Sequence, residues 1–465
     1  MTLEKYDVAI IGAGPAGLSA ATLCANHGAN VILFDEQNAV GGQIYRHIEH
    51  SSLTHQKLLG PDYQKGKKIA EAFKNCSATY VPKARVWHID DNKEIAYSTV
   101  SKAQTVHAEN VILATGAMER PVPFPGWTLP GVMNAGAGQV LFKAHELAPS
   151  EDVILAGSGP LLLLLAWQYL QAGIKVQAVL DLTPGENHFQ AIKHLPKALL
   201  AFSYLRKGLV YEWQLKRAGI PFFRNVSNLQ ACGEQELSSV SFLVKGVRYA
   251  LNTQHLLVHF GVIPSIQLSQ SIGCEHLWDK GQQCWRPKLT ESGETNLTGI
   301  YIAGDGAGIN GAVSAQYSGE IAALDCLSKT GKISASEHRT LSEPLYRSKA
   351  KDQRIRPFLE AYFRVPTSLF RDLPDDTLVC RCEEVTALNI RDAVRAGHTD
   401  CNQVKFLTRC GMGPCQGRQC AQAVSHIVAA ESGKKVEHVG TYRARSPSNR
   451  LSLGELASLY PEEQE

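Results

Sequence analysis

Apolar residues recur along the chain in three patterns of strand, glycine-rich turn and helix. The first pattern is YDVAII, then GAGPAG, then an Ala- and Leu-rich run to about His27, followed by NVILF and Asp35. The second is DVILAGSGPLLLLLAWQYLQAG followed by KVQAVLD, and the third is GIYIAGDGAGINGAVSAQYSGEIAALDCL. Short continuous apolar runs alternating with longer helical runs are typical of buried parallel strands joined by helices. The patterns predict two dinucleotide-binding units, and we expect the third pattern to complete the first unit.

The regions between these patterns predict how the chain is divided. A proline-rich segment, Pro121–Pro130, indicates a crossing between domains. A polar stretch with five Arg or Lys between Arg347 and Arg356 indicates a solvated linker or helix face, with a docking patch as the lesser alternative. The predicted fold is α/β, with two Rossmann-like domains and a small C-terminal domain. The predicted segments are residues 1–120 with 265–335, 121–264, a linker at 336–372, a cysteine-rich domain at 373–432 and a tail at 433–465.

Composition and charge exclude several classes of function. The 465 residues include 47 basic and 44 acidic side chains, a net charge of +3, which is too even for a nucleic-acid-binding protein. The run Leu161–Leu165 is far shorter than the roughly 20 apolar residues of a spanning helix, so no transmembrane segment is predicted. The start, MTLEKYDV, does not match a signal peptide. We therefore expect a cytoplasmic protein.

The first glycine-rich turn carries a dinucleotide-binding fingerprint. Gly12, Gly14 and Gly17 satisfy G-x-G-x-x-G directly after a strand and before a helix. This pattern allows a tight turn, close approach of a pyrophosphate and close helix packing. Asp35 follows Gly17 by eighteen residues, where a carboxylate can accept ribose hydroxyls. The sequence therefore predicts that a dinucleotide binds to the first unit.

Segments far from this turn favour FAD over NAD as that dinucleotide. VILATG, GIYIAGDGAG and GGQIY resemble the signatures of the thioredoxin-reductase-like and glutathione-reductase-like flavoproteins. In those proteins an Asp typically holds a ribityl hydroxyl, and the strand that contains Val86 here meets the adenine through its backbone. The resemblance implies FAD, held by Gly12, Gly14, Pro15, Ala16, Gly17, Asp35, Glu36, Gly42, Gln43, Val86, Ala114, Thr115, Gly116, Gly304, Asp305 and Ala312.

The second glycine turn departs from the fingerprint. It reads Gly157, Ser158, Gly159, and then Leu162 stands where the third glycine belongs. A leucine there pushes the helix away or occupies volume near the pyrophosphate, so tight NAD(P) binding is in doubt. Three occupants stay open for the middle domain: NAD(P), another adenine nucleotide, or none. His259, in the strand predicted to close this domain, is interpreted as a packed strand residue.

Cysteines are sparse before residue 380 and dense after it. No Cys-x-x-Cys or Cys-x4-Cys pair precedes residue 380, which argues against thioredoxin reductase and glutathione reductase activity. Six of the twelve cysteines lie between Cys380 and Cys420. Soft thiolates suit iron–sulfur or zinc, so ligand chemistry leaves an iron–sulfur cluster, structural zinc and unligated thiols open. This region resembles the bacterioferritin-associated-ferredoxin-like domain, and the resemblance implies a [2Fe–2S] cluster on Cys380, Cys382, Cys415 and Cys420. Cys410 could replace Cys415, but the glycines of GMGPCQG favour Cys415, so Cys401 and Cys410 are left outside the predicted ligand set.

The order of motifs over nearly the whole chain resembles one family. GAMERPVPFPGWTLPGVMNAGAGQ and AGDGAGINGA are similar to the FAD-containing α (or A) subunits of bacterial heteromeric amine dehydrogenases, such as opine oxidase, proline or hydroxyproline dehydrogenase and hydrogen cyanide synthase. The resemblance implies an electron-transfer subunit. Its partner would be an FAD-dependent amine-oxidising β subunit, and an optional third chain would be a small [2Fe–2S] γ subunit. The alternatives are an NAD(P)H-dependent flavoprotein reductase and a nucleotide-holding scaffold subunit; no catalytic residue is assigned.

Overall fold

The computed structural model describes residues 3–100, 102–150 and 152–459, and it begins with a parallel α/β unit. Apolar strands form the centre of this unit because helices cover them; residues Val8–Ile10, for example, are completely buried. The helix after the first strand begins with Pro15, a residue that favours the first helical position. Its elements are β1 (Glu4–Ile11), α1 (Pro15–Asn26), β2 (Val31–Phe34), α2 (Leu53–Leu59), α3 (Pro61–Lys74), β3 (Thr79–Val81), β4 (Arg85–Ile89), β5 (Glu94–Thr99) and β6 (Lys102–Leu113).

The sheet of this first unit combines a parallel core with an antiparallel edge. Its strand order is β3-β2-β1-β6-β5-β4. Strands β3, β2, β1 and β6 are parallel, whereas β4, β5 and β6 form an antiparallel meander. The carboxyl ends of β1, β2 and β6 therefore lie together, which is where ligands bind in open α/β sheets.

A two-stranded ribbon joins the first unit to a second, middle unit. Strand β7 pairs antiparallel with β16, and the middle sheet is parallel in the order β11-β10-β9-β15-β8. Strands β12 to β14 form a separate antiparallel sheet. The elements are β7 (Ala117–Glu119), β8 (Val132–Asn134), α4 (Ala135–His145), β9 (Val153–Gly157), α5 (Pro160–Gln171), β10 (Val176–Asp181), α6 (Gly185–Ile192), α7 (Leu195–Leu199), α8 (Phe202–Arg217), β11 (Phe222–Arg224), β12 (Val226–Cys232), β13 (Ser239–Val244), β14 (Val247–Asn252), β15 (His255–His259) and β16 (Val262–Pro264).

The chain then returns to the first unit. Strand β19 pairs parallel with β6, so the third strand-turn-helix pattern completes the first sheet as expected. The long helix after it crosses α1 with Gly319 packed directly on the Ala16 backbone. The elements are α9 (Gln267–Ser271), β17 (His276–Asp279), β18 (Cys284–Pro287), β19 (Ile300–Ile302), a 3-10 turn (Gly304–Gly306) and α10 (Ala312–Lys329).

Residues 336–372, predicted as a linker or helix face, are largely helical. A capping box between Ser334 and Glu337 starts the first helix, which packs against α10. The helices are α11 (Ala335–Asp352), α12 (Arg356–Tyr362) and α13 (Ser368–Arg371), with a 3-10 turn at Gln353–Ile355. The cysteine-rich region and the tail contain β20 (Leu378–Cys380), β21 (Val385–Thr386), α14 (Ala387–Arg395), α15 (Cys401–Thr408), α16 (Ala421–Ser432), α17 (Val436–Val439) and α18 (Leu453–Ala457).

The cysteine-rich domain packs against the middle unit, and the tail packs against the first. Buried residues of the middle sheet and of α14, α15 and α16 form one continuous hydrophobic core. The tail then reaches the β4–β5–β6 meander, where the Ser448 N–H donates to the Trp87 carbonyl at 2.8 Å. The Ala103 N–H donates to the Ser458 hydroxyl at 2.8 Å. Residues 460–465 of the predicted tail lie outside the described residues.

The crossing of α1 and α10 yields a prediction about stability. Replacing Gly319 by alanine would place a methyl group well inside contact distance of the Ala16 carbonyl. We expect Gly319→Ala to destabilise the chain by roughly 1–3 kcal/mol, because backbone must move to relieve the overlap. Chemical denaturation monitored by circular dichroism measures the change.

Gly208→Ala is the matched control, since Gly208 also lies inside a helix, α8, but nothing lies within 4 Å of the position that an added methyl group would take. It should stabilise the chain by about 0.5–1 kcal/mol, the ordinary helix preference for alanine. Equal effects of the two substitutions would contradict the close crossing.

Candidate functional site

The first glycine turn lies against the ends of two neighbouring segments with no space for side chains. Gly12, at φ +112°, packs on the Ala114 carbonyl, and a Cβ on Gly42 would lie 2.8 Å from the Gly14 Cα. Gly17 packs on the Gly12 carbonyl in the same way. The helix α1 starts at this turn without a side-chain cap, so its first N–H groups are free to bind an anion.

Asp35 braces this turn from the end of β2. Its Oδ2 accepts a hydrogen bond from the Ala13 N–H at 2.6 Å, and its Oδ1 accepts one from the Gln37 N–H at 2.7 Å. Burial raises the pKa of Asp35, although both hydrogen bonds act in the opposite direction. The side chain of the neighbouring Glu36 is exposed. Partial desolvation and the Asp35 carboxylate raise its pKa, and the Arg418 guanidinium acts in the opposite direction. Glu36 is therefore the freer of the two carboxylates.

A cavity of about 310 Å³ lies beside Glu36. The tail contributes to its wall through Glu455, which pairs with Arg85 at 2.6 Å. Val86 is buried nearby, and its carbonyl accepts a hydrogen bond from the Asn449 side-chain amide at 3.1 Å. The backbone carbonyl of Val86 is thus bonded to the tail, and sequence reasoning missed this role of residues 448–459. The cavity is lined by Glu36, Gln37, Lys83, Arg85, Ser98, Thr99, Val100 and Glu455.

The loop before α10 closes the other side of the glycine turn. Gly304, at φ +72°, packs on Ala16, where a Cβ would lie 2.9 Å from the Ala16 side chain. Asp305 Oδ1 accepts hydrogen bonds from the backbone N–H groups of Asn310 at 2.8 Å and Gly311 at 2.9 Å. These contacts bring the loop to the start of α1.

A neighbouring strand end joins the same region. Thr115 donates its hydroxyl to the Ser265 carbonyl at 3.0 Å, and Gly116 accepts from the Ser265 N–H at 3.0 Å. Gly306 lies against Thr115, with 3.3 Å from its Cβ position to the hydroxyl. The structure therefore gathers most predicted FAD residues around the start of α1. Glu36 lines the cavity near the tail, the Val86 carbonyl is bonded to the tail residue Asn449, and Ala312 is the first residue of α10.

The second glycine turn contains a buried acid and histidine. His259 Nδ1 lies 2.6 Å from Glu119 Oε1, and the imidazole packs on Gly159, 2.9 Å from its Cβ position. Only 3% of His259 is exposed, which agrees with its interpretation as a packed strand residue. Leu162 is also buried, with its side chain in the core. Glu119 reaches this turn through His259, and its Oε2 accepts a hydrogen bond from the Gly136 N–H at 2.8 Å.

Asp181 is a candidate that sequence reasoning missed. It ends β10 and pairs in register with Gly157, so it occupies the place in the middle unit that Asp35 occupies in the first. Its Oδ1 accepts from the Thr183 N–H at 2.9 Å, and burial raises its pKa. The available signal was the parallel between NVILFD and KVQAVLD, two strands that each lead into an Asp.

Three cysteines of the C-terminal domain meet in one buried group. The sulfurs of Cys380, Cys410 and Cys420 all lie within 4.8 Å of one another. Hydrogen bonds from the Cys410 and Cys420 thiols lower the pKa of Cys380 to about 2, and the bond to Cys380 raises the pKa of Cys410 to about 12. Three soft ligands thus lie in mutual contact, an arrangement that suits zinc or an iron–sulfur centre.

The other two predicted ligands form a second group. Cys382 is exposed, and the Cys415 N–H and thiol both lie within hydrogen-bonding reach of it. Cys410, which the sequence resemblance placed outside the ligand set, lies inside the buried group. The reason is local: α15 ends at Thr408, and Arg409 adopts φ +61°, which turns the following residue into the core.

Tyr442 is a further residue that sequence reasoning missed. Its ring packs against Gly411 and Gly417, where side chains would overlap it. Its hydroxyl is buried beside Cys410 and Cys420, within hydrogen-bonding reach of the Cys410 sulfur. The glycines around the cysteines were the available signal.

Two family models match the chain. The model described as pyridine nucleotide-disulphide oxidoreductase matches residues 6–319, and the model described as sarcosine oxidase A3 domain matches residues 375–459. The second description covers the cysteine-rich domain and names no metal. The matched ranges include both glycine turns and the cysteine groups.

Individual relatives agree with these models. The chain is 40% identical to the A subunit of opine oxidase from Rhizobium meliloti, over 98% of this chain and 88% of the relative. It is 32% identical to hydrogen cyanide synthase subunit HcnB of Pseudomonas aeruginosa, over 97% and 98%. The crystal structure of L-proline dehydrogenase from P. horikoshii matches with a TM-score of 0.70 at 20% identity, covering 98% of this chain and 81% of that one. The predicted flavoprotein-type α/β fold is confirmed.

The three-sulfur group yields a prediction about metal binding. We expect Cys410→Ser to lose most of the metal that the anaerobically purified chain retains, because it removes one of three preassembled soft ligands. Elemental analysis for iron and zinc measures the loss. Cys76→Ser, in the first unit, is the control and should retain wild-type metal content. If Cys410→Ser kept its metal content while Cys415→Ser lost metal, Cys410 would not be a ligand.

Proposed function

The chain belongs to the pyridine nucleotide-disulphide oxidoreductase family and, within it, to the group of opine oxidase A subunits, and from this premise we propose that it is the FAD-containing electron-transfer subunit of a heteromeric amine or amino-acid dehydrogenase. It is an oxidoreductase. The proposed substrate is a secondary amine such as an opine, proline or hydroxyproline, oxidised to an imine on a partner subunit. The observation that carries this proposal is the full-length similarity to a named oxidase subunit.

The geometry of the first unit supports FAD as the dinucleotide. Close backbone contacts at Gly12 and Gly42 leave no room for side chains there, and the uncapped start of α1 supplies N–H groups for a pyrophosphate. We propose that Glu36, exposed at the cavity wall, accepts the ribose hydroxyls in place of Asp35, whose two oxygens bind the Ala13 and Gln37 N–H groups. Asp305 lies at the opposite side of the turn, where the flavoprotein resemblance assigns it to the ribityl chain. The residues present therefore fit FAD.

The cysteine groups support a second redox centre. Cys380, Cys410 and Cys420 supply three soft ligands, and either Cys382 or Cys415 is available as a fourth. We propose a [2Fe–2S] cluster here, with structural zinc as the alternative. A flavin can accept two electrons together and release them one at a time, whereas an iron–sulfur centre exchanges single electrons, so the two groups together would connect amine oxidation to one-electron carriers. The chain's own residues bind and position both groups.

An apolar face on the middle unit supports a partner subunit. Helix α8 exposes Phe202, Leu209 and Trp213 at helical spacing, and these side chains are 55%, 65% and 56% exposed. Arg206 lies on the same face, and Arg217 stacks over the Trp213 ring at 5.3 Å. Large exposed apolar faces with a polar rim typically mark protein interfaces. We propose that the amine-oxidising β subunit covers this face.

The second candidate function, an NAD(P)H-dependent reductase, requires the middle unit to bind a nicotinamide nucleotide. Leu162 replaces the third glycine of the fingerprint, which argues against tight binding of a pyrophosphate, although its side chain lies in the core. Asp181 favours a nucleotide with a free 2′-hydroxyl over one with a 2′-phosphate, since a carboxylate repels phosphate. NAD, another adenine nucleotide and no ligand therefore stay open for the middle unit, as does the scaffold alternative.

One prediction of the proposed function concerns the binding of FAD. Denaturing the purified chain should release one non-covalent flavin, and Asp305→Ala should weaken FAD binding by roughly 1.5–3 kcal/mol through loss of a charged acceptor. Fluorescence of the released flavin and titration of the apoprotein measure both quantities. Asp91→Ala, on an exposed turn of the first unit, is the control and should bind FAD normally. Release of NAD alone from the folded protein would contradict the assignment.

The second prediction concerns the division of labour. The chain alone should not form an imine from proline, hydroxyproline, sarcosine or an opine, because the described residues contain no domain left over for substrate after the two units and the cysteine-rich domain. Dye reduction with each amine tests this, before and after co-expression with the amine-oxidising subunit. Fast, saturable NADH-to-dye activity of the chain alone would instead favour the reductase.

A further inference from the structure

A buried lysine of the middle unit binds the loop of the first unit that contains Gly42 and Gln43. Lys143 lies on α4 and is only 4% exposed. Its Nζ donates to the Ile44 carbonyl at 3.0 Å and to the Gln43 carbonyl at 3.3 Å. The third donor bonds Gln139 Oε1 at 3.0 Å. Three acceptors therefore match the three N–H bonds of one ammonium group.

The lysine is one end of a buried polar chain that crosses between the two units. Gln139 donates through Nε2 to Gln168 Oε1 at 2.9 Å, and Gln168 donates through Nε2 to the Leu59 carbonyl at 2.9 Å. Gln139 and Gln168 are 7% and 1% exposed. Helices α4 and α5 of the middle unit are thus bonded to the end of α2 and to residues 43–44 of the first unit. Moving one unit against the other would leave these buried groups unpaired.

Burying the Lys143 ammonium costs desolvation energy that no carboxylate among the described residues offsets. Burial, with a smaller contribution from the nearby Arg46, lowers the pKa of Lys143 to about 7. The Tyr63 ring lies 6.0 Å from the ammonium, and Phe142 and Tyr169 pack around α4, so among the described residues no carboxylate pairs with the charge. A methionine of similar size would avoid the desolvation of a charged group. What the lysine adds, and a methionine would not, is hydrogen bonds to the carbonyls of Gln43 and Ile44.

We propose that Lys143 is a positioning residue for the flavin site, holding residues 41–45 in the conformation that places Gly42 on Gly14 while it fixes the middle unit against the first. The expected effect on FAD binding rests on the proposed function. The hydrogen bonds between Lys143 and the loop do not depend on it. Gly41 also accepts from the Tyr45 N–H at 3.1 Å, so the loop is a compact turn with the lysine bound to its far side. The middle unit then supports the flavin site from outside it, whichever nucleotide it binds.

The test compares two lysines at the same interface. Lys143→Met removes the buried ammonium, and Lys143→Gln is a milder variant that keeps a donor without charge. Lys207→Met is the matched control, because Lys207 also crosses between the units, to Asp62, but that pair is 36% and 48% exposed. Hydrogen exchange of residues 41–45 in the flavin-free chain, FAD affinity and flavin reduction potential are measured for all variants.

We expect Lys143→Met to increase exchange of the Tyr45 amide at least tenfold and to weaken FAD binding about tenfold, with a smaller effect for Lys143→Gln. The flavin reduction potential of Lys143→Met should also differ from wild type, because the proposal makes the conformation of residues 41–45 at the flavin site depend on this lysine. Lys207→Met should leave all three quantities near wild type.

Two other results would overturn the proposal. Wild-type exchange at residues 41–45 in both Lys143 variants would show that the loop does not depend on the lysine. Equal changes in Lys143→Met and Lys207→Met would assign the effect to general loosening of the interface. If the wild-type chain binds no FAD, the proposed function fails, whereas the exchange measurement still decides the role of Lys143.

Discussion

Close backbone contact around the start of α1 is the constraint on which the rest of the molecule depends. Gly12 lies on the end of β6, Gly42 lies on Gly14, and Gly304 lies on Ala16. Each contact brings a different segment to the same helix terminus, so the strand ends, the loop at 41–45 and the loop before α10 must all approach within backbone distance. An anion at this terminus would be surrounded by three segments that come together only in the folded chain.

Buried polar groups set the relation between the two α/β units. Lys143 and the glutamines that continue its hydrogen bonds connect the middle unit to the first, and the Glu119–His259 pair lies where the connecting ribbon meets the second glycine turn. Such groups are costly to bury unless each finds a partner, so they favour one arrangement of the units over others. At the second turn the His259 imidazole packs on Gly159, whereas at the first turn Gly12 packs on the Ala114 carbonyl. The two glycine turns thus differ in chemistry although they share a fold.

The C-terminal domain contacts both units. Its core is continuous with the middle unit, while Arg418, in the loop between Cys415 and Cys420, donates to the Ser448 carbonyl at 2.8 Å and approaches Glu36. The cysteine loop and the predicted adenosine end of the FAD site are therefore held by one short stretch of chain. Arg418 and the tail thus contact both the cysteine loop and the residues around Glu36.

The sequence by itself determined the α/β class, the two glycine turns and the acid that follows the second strand of the first unit, because these depend on periodicity and spacing within about 35 residues. It did not determine that Cys410 joins Cys380 and Cys420, that the tail bonds to Val86, or that Lys143 holds the loop at 41–45. Those contacts join residues that lie far apart in the chain. Spacing carries no information about which distant surfaces meet, and only the packing of the units against one another decides it.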